Sequence, residues 1–158
     1  MEKPLAVAIA AVIKDNKLLM IKRIKGDYVG LWGLPGGKIE KDEHFADAAM
    51  REIMEESGIE TEFGKYLGLV SEHLTENGAI SQHFLLHVSR LSPKTMEISN
   101  DAEGVLEWFE LDSLAKNKNM IIPSDFFMIE KMAIGEEGNY FECVIEKSGD
   151  SHILKKFE

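Results

Sequence analysis

Three glutamates, Glu52, Glu55 and Glu56, stand three and four residues apart in a stretch whose apolar residues recur with a helical period. At about 100° per residue, Ala46, Ala49, Met50, Ile53 and Ser57 fall on one stripe. The three acids gather on another face, because i, i+3 and i+4 are neighbours on a helix. Such a face is unfavourable by itself: Glu52 and Glu56 repel across one turn by roughly 0.2–0.5 kcal/mol. All three lie in the last turns, where the helix dipole disfavours negative charge. Two readings fit. In the first the acids are simply solvated, as most helix charge runs are. Alternatively they form a hard-cation site, since Mg²⁺ takes oxygen ligands, commonly one or two carboxylates with waters and substrate phosphates.

The surrounding spacing separates the two. Pro35, Gly36 and Gly37 form a turn signal; five residues after Gly37 comes Glu43, and seven more lead to Arg51-Glu52-Ile53-Met54-Glu55-Glu56-Ser57-Gly58-Ile59. Residues 37–59 resemble the Nudix box, G-x5-E-x7-R-E-U-x-E-E-x-G-U with U a bulky aliphatic. Every specified position is met, by Gly37, Glu43, Arg51, Glu52, Ile53, Glu55, Glu56, Gly58 and Ile59. The lead-in Leu31-Trp32-Gly33-Leu34-Pro35-Gly36-Gly37 is also similar to the segment before such a box, with Trp32 read as a packing residue.

The resemblance implies an enzyme that hydrolyses a nucleoside diphosphate linked to another group, X, on an α/β fold, the α/β/α sandwich with a mixed β-sheet. It implies Glu55 and Glu56 as the chief metal ligands, Glu52 as a ligand or as the base that activates water, and the Gly37 carbonyl as a further ligand. Glu43, near the helix start, would pair with Arg51 or approach the metal through water, while Arg51 orients the acids. A second base in such enzymes comes from a Glu ahead of a later strand; Glu103 best fits that place, with Glu107 the alternative. The implied cation is Mg²⁺, or Mn²⁺. Arg23 is a candidate contact for phosphate or leaving group. A phosphoanhydride resists attack because its oxygens repel nucleophiles, so charge neutralisation, positioning and a base for water are what a catalyst must supply.

The box sets the reaction class and not X. ADP-ribose pyrophosphatases of the family tend to carry a proline beyond the box, and none occurs here between Pro35 and Pro93. Ile122-Pro123-Ser124-Asp125-Phe126-Phe127 resembles the helix start where oxidised-purine triphosphate hydrolases read the base. Asp125 would bond a purine edge there, with Phe126 or Phe127 as an apolar wall; the other reading makes Ser124 or Asp125 a helix cap. The favoured substrate is therefore a nucleoside triphosphate, oxidised purines of the 8-oxo-dGTP type included, cleaved to monophosphate and pyrophosphate. ADP-ribose, another nucleotide sugar or a dinucleotide is the alternative. A non-catalytic nucleotide-sensing module is the alternative of another class; a complete box and the lack of a leftover helix-turn-helix segment weigh against it.

Around this stretch the pattern predicts strands over 5–13, 17–24, 63–73, 80–91 and 105–111, a helix over 43–57, and a loop over 92–100. It further predicts a helical turn over 112–116, a loop over 117–119, a second helix from 123 to about 134, and a closing hairpin over 139–146 and 152–157. Asn77-Gly78 marks a hairpin turn. On the 80–91 strand Ile80, Phe84, Leu86 and Val88 share one face; Ser81, His83, His87 and Ser89 share the other, which makes His83 a candidate substrate contact. One domain of 158 residues, with the box at 37–59 and a terminal helix and hairpin at 123–157, is expected to bury an adequate core. A net charge of −10 argues against a nucleic-acid duplex as partner, though not against a nucleotide whose phosphates arrive with Mg²⁺. The single cysteine, Cys143, excludes an internal disulfide and reads as a small apolar residue in a strand. The apolar run 5–13 is too short to span a bilayer and reads as a buried strand, so the chain is expected in the cytoplasm and off the membrane; a monomer or homodimer is expected.

Overall fold

In the computed structural model, described over residues 2–100 and 102–158, a mixed sheet carries helices on both faces. Met1 and Asp101, the latter placed by the sequence in the loop before the fifth predicted strand, lie outside the described residues. β1 (Leu5–Lys14) is central. It runs parallel to β6 (Ala79–Pro93) and antiparallel to two different partners on its other edge. Near its end it pairs with β2 (Lys17–Lys22), and near its start with β4 (Gly36–Lys38). β5 (Thr61–Glu76) and β6 form a long hairpin, β8 (Tyr140–Ser148) lies parallel to β5, and β9 (Ser151–Phe157) closes that edge. β3 (Trp32–Gly33) and β7 (Val105–Glu110) both pair with β2.

The two cores follow from strand alternation. Ala8, Ala10 and Val12 of β1 face α1 (Phe45–Ser57) and pack with Ala48, Ala49, Ile53 and Ile59. Ile9 and Ala11 face the opposite way, toward α2 (Pro123–Met128) and the π-helical segment Ile129–Ile134 that continues it, with Phe126, Met128, Ile129 and Met132. The small residues of β1 let α1 approach closely on one side. This is the expected sandwich.

The expected hairpins form where turn chemistry places them. Asp15 and Asn16 adopt φ of 53° and 61°, and Asn77 and Gly78 54° and 79°, the left-handed pairs that a tight hairpin needs. Several boundaries differ. The 17–24 strand stops at Lys22, since residues from Arg23 turn back through Gly30 N–H to the Arg23 carbonyl. The β5–β6 hairpin is longer at both ends than predicted. Lys118 and Asn119, read as part of a 117–119 loop, belong to a 3₁₀ turn over Lys118–Met120, and the predicted turn over 112–116 is shifted to Leu111–Ser113. β3 and β4 are too short to show a period in sequence. The second helix holds α-geometry only to Met128 before widening to π-geometry.

α1 is held by its core face, so Ile53, fully buried there, carries a test. Ile53→Ala should destabilise by about 2–5 kcal/mol, seen as a lower urea midpoint at unchanged m-value. A loss below about 1 kcal/mol would contradict the packing of α1 on β1.

Candidate active site

Because β1 is paired by β2 at one end and by β4 at the other, the sheet opens between those two strands. The opening is a cleft of about 700 Å³. Glu52 and Glu56 of α1, Gly36 and Gly37 of β4, and Glu103 line one end; Lys22, Arg23 and Lys25 reach it from the end of β2; Asp125, Ser124 and Glu72 line the other end.

The acidic end is built by three local devices. First, α1 ends sharply: Gly58 takes φ 77° and returns its N–H to the Met54 carbonyl, and the buried Ser57 hydroxyl bonds the Ile53 carbonyl at 2.6 Å. Second, the glycine turn has no side chains to obstruct the acids. A Cβ on Gly37 would collide with the Glu52 carboxyl, and one on Gly36 with the Ala8 carbonyl oxygen. The Gly36 N–H instead donates to Glu56 Oε1 at 3.1 Å. Third, Arg51 is the counter-ion. It grips Glu43 through two bonds of 2.9 and 2.6 Å and also donates to Glu52 at 2.9 Å, Glu55 at 3.2 Å and the Lys38 carbonyl at 3.2 Å. Glu43 stands just ahead of α1, whose first residue is Phe45, and also accepts the Glu40 N–H.

The electrostatics divide these acids. The Arg51 guanidinium and the Glu40 N–H hold Glu43 down at about 2, and Arg51 is pushed up in return. Glu56 is pushed up to about 8, chiefly by burial and then by the charge of Glu52, against the pull of the Gly36 N–H and Arg23. The donor set at this end suits a divalent cation. Hard oxygen donors, a desolvated carboxylate beside a like charge, and a glycine cradle shaped around Glu52 all fit one. Glu52, Glu56 and the backbone at Gly37 are the residues that would hold it. Among the described residues no three acidic or histidine groups already stand in coordinating arrangement, because Glu55, half exposed, turns to Arg51. Glu103 is exposed and lines the cleft; the Gly104 N–H bonds the Glu56 carbonyl at 3.1 Å, which brings the two loops together. Glu107 pairs opposite Met20 in β7 and does not line the cleft.

At the other end Asp125 caps nothing: α2 has no side-chain cap, and Asp125 Oδ2 accepts the Leu34 N–H at 2.8 Å from within the cleft wall. Burial pushes it up to about 7. Two of the expected substrate contacts are placed elsewhere. Phe127 faces a separate hollow of about 900 Å³ behind α2, stacked on Phe157 with Lys118 above it; helical geometry sends Asp125 and Phe127 to different sides. His83 lies on the sheet face opposite the cleft, bonded to Ser71 Oγ at 2.9 Å and edge-on to His73, because alternation on β6 gives the cleft Gln82, Phe84 and Leu86. Trp32 is buried against Phe109, and Cys143 is buried in β8.

Sequence reasoning missed Glu72, Ser124, Tyr28 and the cations Lys22 and Lys25. Glu72 had a signal: an acid at the centre of Val70-x-Glu72-x-Leu74, on the apolar side of an alternating strand, is out of pattern. Tyr28 had none; it depends on a φ of 63° in a loop whose shape the sequence does not specify.

Two outcomes follow from the acids. Glu43 has a depressed value, so its contribution to stability is complete above about pH 4.5 and is lost as pH falls toward 2; Glu43→Gln should flatten the urea midpoint across that window. Glu56 has a raised value, so the folded state loses stability as pH rises from about 4.5 to 8. At pH 8, Mg²⁺ should therefore raise Tm, and Glu56→Gln should raise Tm without Mg²⁺ while removing most of the Mg²⁺ increment.

The NUDIX domain model matches residues 3–128. "Nucleoside diphosphate-linked moiety X motif 6" of Homo sapiens is 32% identical over 115 residues, 72% of this chain and 36% of that protein. An "ADP-ribose pyrophosphatase" of Methanocaldococcus jannaschii is 36% identical over 114 residues, 70% of this chain and 65% of that protein. A "CTP pyrophosphohydrolase" of Escherichia coli is 39% identical over 88 residues, 54% of this chain and 63% of that protein. The chain spans between 36% and 54% of the length of the first curated relatives it matches. Among solved structures, a MutT protein of Bacillus halodurans superposes with a TM-score of 0.72 at 21% identity, covering 96% of this chain and 97% of that one, a likeness of fold. A MutT NUDIX hydrolase of Burkholderia pseudomallei does so with 0.56 at 34% identity, covering 70% and 86%.

Proposed function

The chain belongs to the NUDIX family, and from that membership we propose that it is a Mg²⁺-dependent pyrophosphohydrolase acting on a nucleoside triphosphate, which it cleaves to monophosphate and pyrophosphate. One observation carries the reading: the box acids Glu52 and Glu56, the cations Lys22, Arg23 and Lys25, and the buried Asp125 line a single cleft. That order matches a substrate with a phosphate chain at one end and a base at the other.

A bound divalent cation supplies charge neutralisation on the phosphate oxygens and lowers the cost of generating hydroxide from water. The chain's own residues do the rest. Glu52 and Glu56 present oxygen donors at the cleft wall, and Arg51 holds Glu52 in place through the bond at 2.9 Å. Arg23 faces the developing charge on the leaving oxygens from the mouth. Water attacks phosphorus, the bridging P–O bond breaks toward the leaving group, and the water proton passes to a carboxylate, Glu52 or Glu103. Glu103 is the freer of the two, since Glu52 is already tied to Arg51. Asp125, on the rigid start of α2, orients the base.

Turnover of a nucleotide panel with Mg²⁺, with products resolved by chromatography, tests this. The panel holds ordinary and 8-oxo-dGTP triphosphates, ADP-ribose and dinucleoside polyphosphates. The expected result is pyrophosphate from a triphosphate, abolished by chelator and reduced on the order of 10²-fold or more in Glu56→Gln, the scale on which one lost electrostatic stabiliser is felt. AMP from ADP-ribose would instead support the second reading, which the 36% identical archaeal relative favours. No turnover despite cation binding would overturn the enzyme reading in favour of a nucleotide sensor.

A further inference from the structure

At the deep end of the cleft two buried acids meet, with the charge of Arg23 felt by Asp125 but, among the described residues, no cation in ion-pair contact with either. Glu72, on the cleft face of β5, is 6% exposed, and Asp125 is 9% exposed. The Ser124 hydroxyl stands within bonding reach of both carboxyls. Neither carboxyl makes an ion pair among the described residues; Arg51, Lys147 and the other paired cations all serve other acids. Their protein partners leave acceptor capacity over. Asp125 Oδ2 takes the Leu34 N–H, Ser124 Oγ lies 3.4 Å from Asp125 Oδ1, and Glu72 Oε1 receives only the weak Cys143 S–H at 3.7 Å. One serine hydrogen cannot serve two carboxyls, each with about four lone-pair sites. Apolar side chains, Phe84, Leu86, Ile122 and Met128, line the same space and suit the faces of a flat ring.

We propose that Glu72 is a specificity-determining residue that, together with Asp125, selects a ring edge carrying two adjacent N–H donors over an edge that presents acceptors. Two sources share that chemistry: guanine, through its ring N–H and 2-amino group, and cytosine protonated at N3, through that N–H and its 4-amino group. A carboxylate meets two parallel N–H groups with two parallel bonds, the geometry that makes Arg–carboxylate pairs specific. An acceptor edge in the same place sets lone pairs against lone pairs and leaves buried oxygens unpaired, which is how a polar pocket rejects the wrong ligand strongly. Burial pushes both carboxyls up against the pull of their few donors, and a ligand edge that brings two further N–H groups offsets the desolvation of the charged form. Glu72 acts here on binding, from the strand opposite α2, and not on the reacting phosphorus.

The inference rests on the cleft being a nucleotide site, so binding is measured apart from turnover. Calorimetric titration with GMP against IMP, which lacks the 2-amino group, tests the guanine source; CMP against UMP tests the cytosine source. The wild type should prefer the donor-bearing member of one pair by at least about 10-fold, and the pair that discriminates names the base. Glu72→Gln should bring that ratio to within about 3-fold, Glu72→Asp should restore part of it, and Glu62→Gln, exposed on the same strand and outside the cleft, should leave it unchanged, with the urea midpoint confirming that each variant is folded. Equal affinities within both pairs, no binding of any of the four, or a ratio that survives Glu72→Gln would overturn the inference. Triphosphate turnover without discrimination would leave the proposed hydrolysis standing and remove this inference; discrimination without turnover would do the reverse.

Discussion

Negative charge crowded onto one short helix surface is the constraint on which the structure depends. Glu52, Glu55 and Glu56 cannot be neutralised by one another, and Arg51 reaches only two of them while also clamping Glu43. Glu56 is left buried with a like charge beside it and one backbone N–H from Gly36. Keeping such a carboxylate charged away from water is costly, which is why its value is pushed up to about 8. The surroundings must supply the difference. The apolar stripe of α1 is locked onto the alanines of β1, the Gly36-Gly37 turn presses against the acids with backbone alone, and the loop at Gly104 is tied to the end of α1.

The cleft is polarised along its length. Its two ends are acidic and its mouth carries Lys22, Arg23 and Lys25. In a chain of net charge −10, a phosphate group approaching the box end meets repulsion from carboxylates and attraction from the mouth cations. The ends also ask for different things. The box end offers oxygens to a hard cation, partly solvated and adjustable; the deep end offers oxygens inside an apolar wall, where only directed N–H or O–H donors repay burial. A ligand that satisfies both is anionic at one end and donor-rich at the other.

The split of β1 between two partners makes this arrangement possible. A strand paired with one neighbour along its whole length leaves no gap; here β2 leaves β1 after Ile13 and Lys14, and β4 takes over at Val7 to Ile9. β5 and β6 wall the gap on one side, and their alternation decides which of their side chains see it. The same alternation sends His83 and His73 to the far face, where they contact each other. Behind α2, the hollow with Phe127 is walled off by the loop at Asp27 and Tyr28, which is pinned to the closing hairpin by Asp27 against Lys147 at 2.9 Å and His152 at 3.4 Å.

What the sequence by itself determined is what short-range physics controls. The helical period and the Gly58 stop define α1, Asn77-Gly78 defines a hairpin, and the spacing from Gly37 to Ile59 declares the acids and their arginine, because each depends on neighbours a few residues away. The apolar run of β1 marked it as a buried strand deep in a sheet. Only the tertiary structure decided which side chains share the cleft. Phe127 and Asp125 are two residues apart on a helix and so face different compartments, and His83 and Phe84 are adjacent on a strand and so face different sides of a sheet. Glu72 and Asp125 are far apart in the chain and meet because β5 and the start of α2 border the same gap. A linear pattern fixes the face a residue takes relative to its own element; which space that face opens onto is set by long-range packing, and that is where the deep half of the cleft comes from.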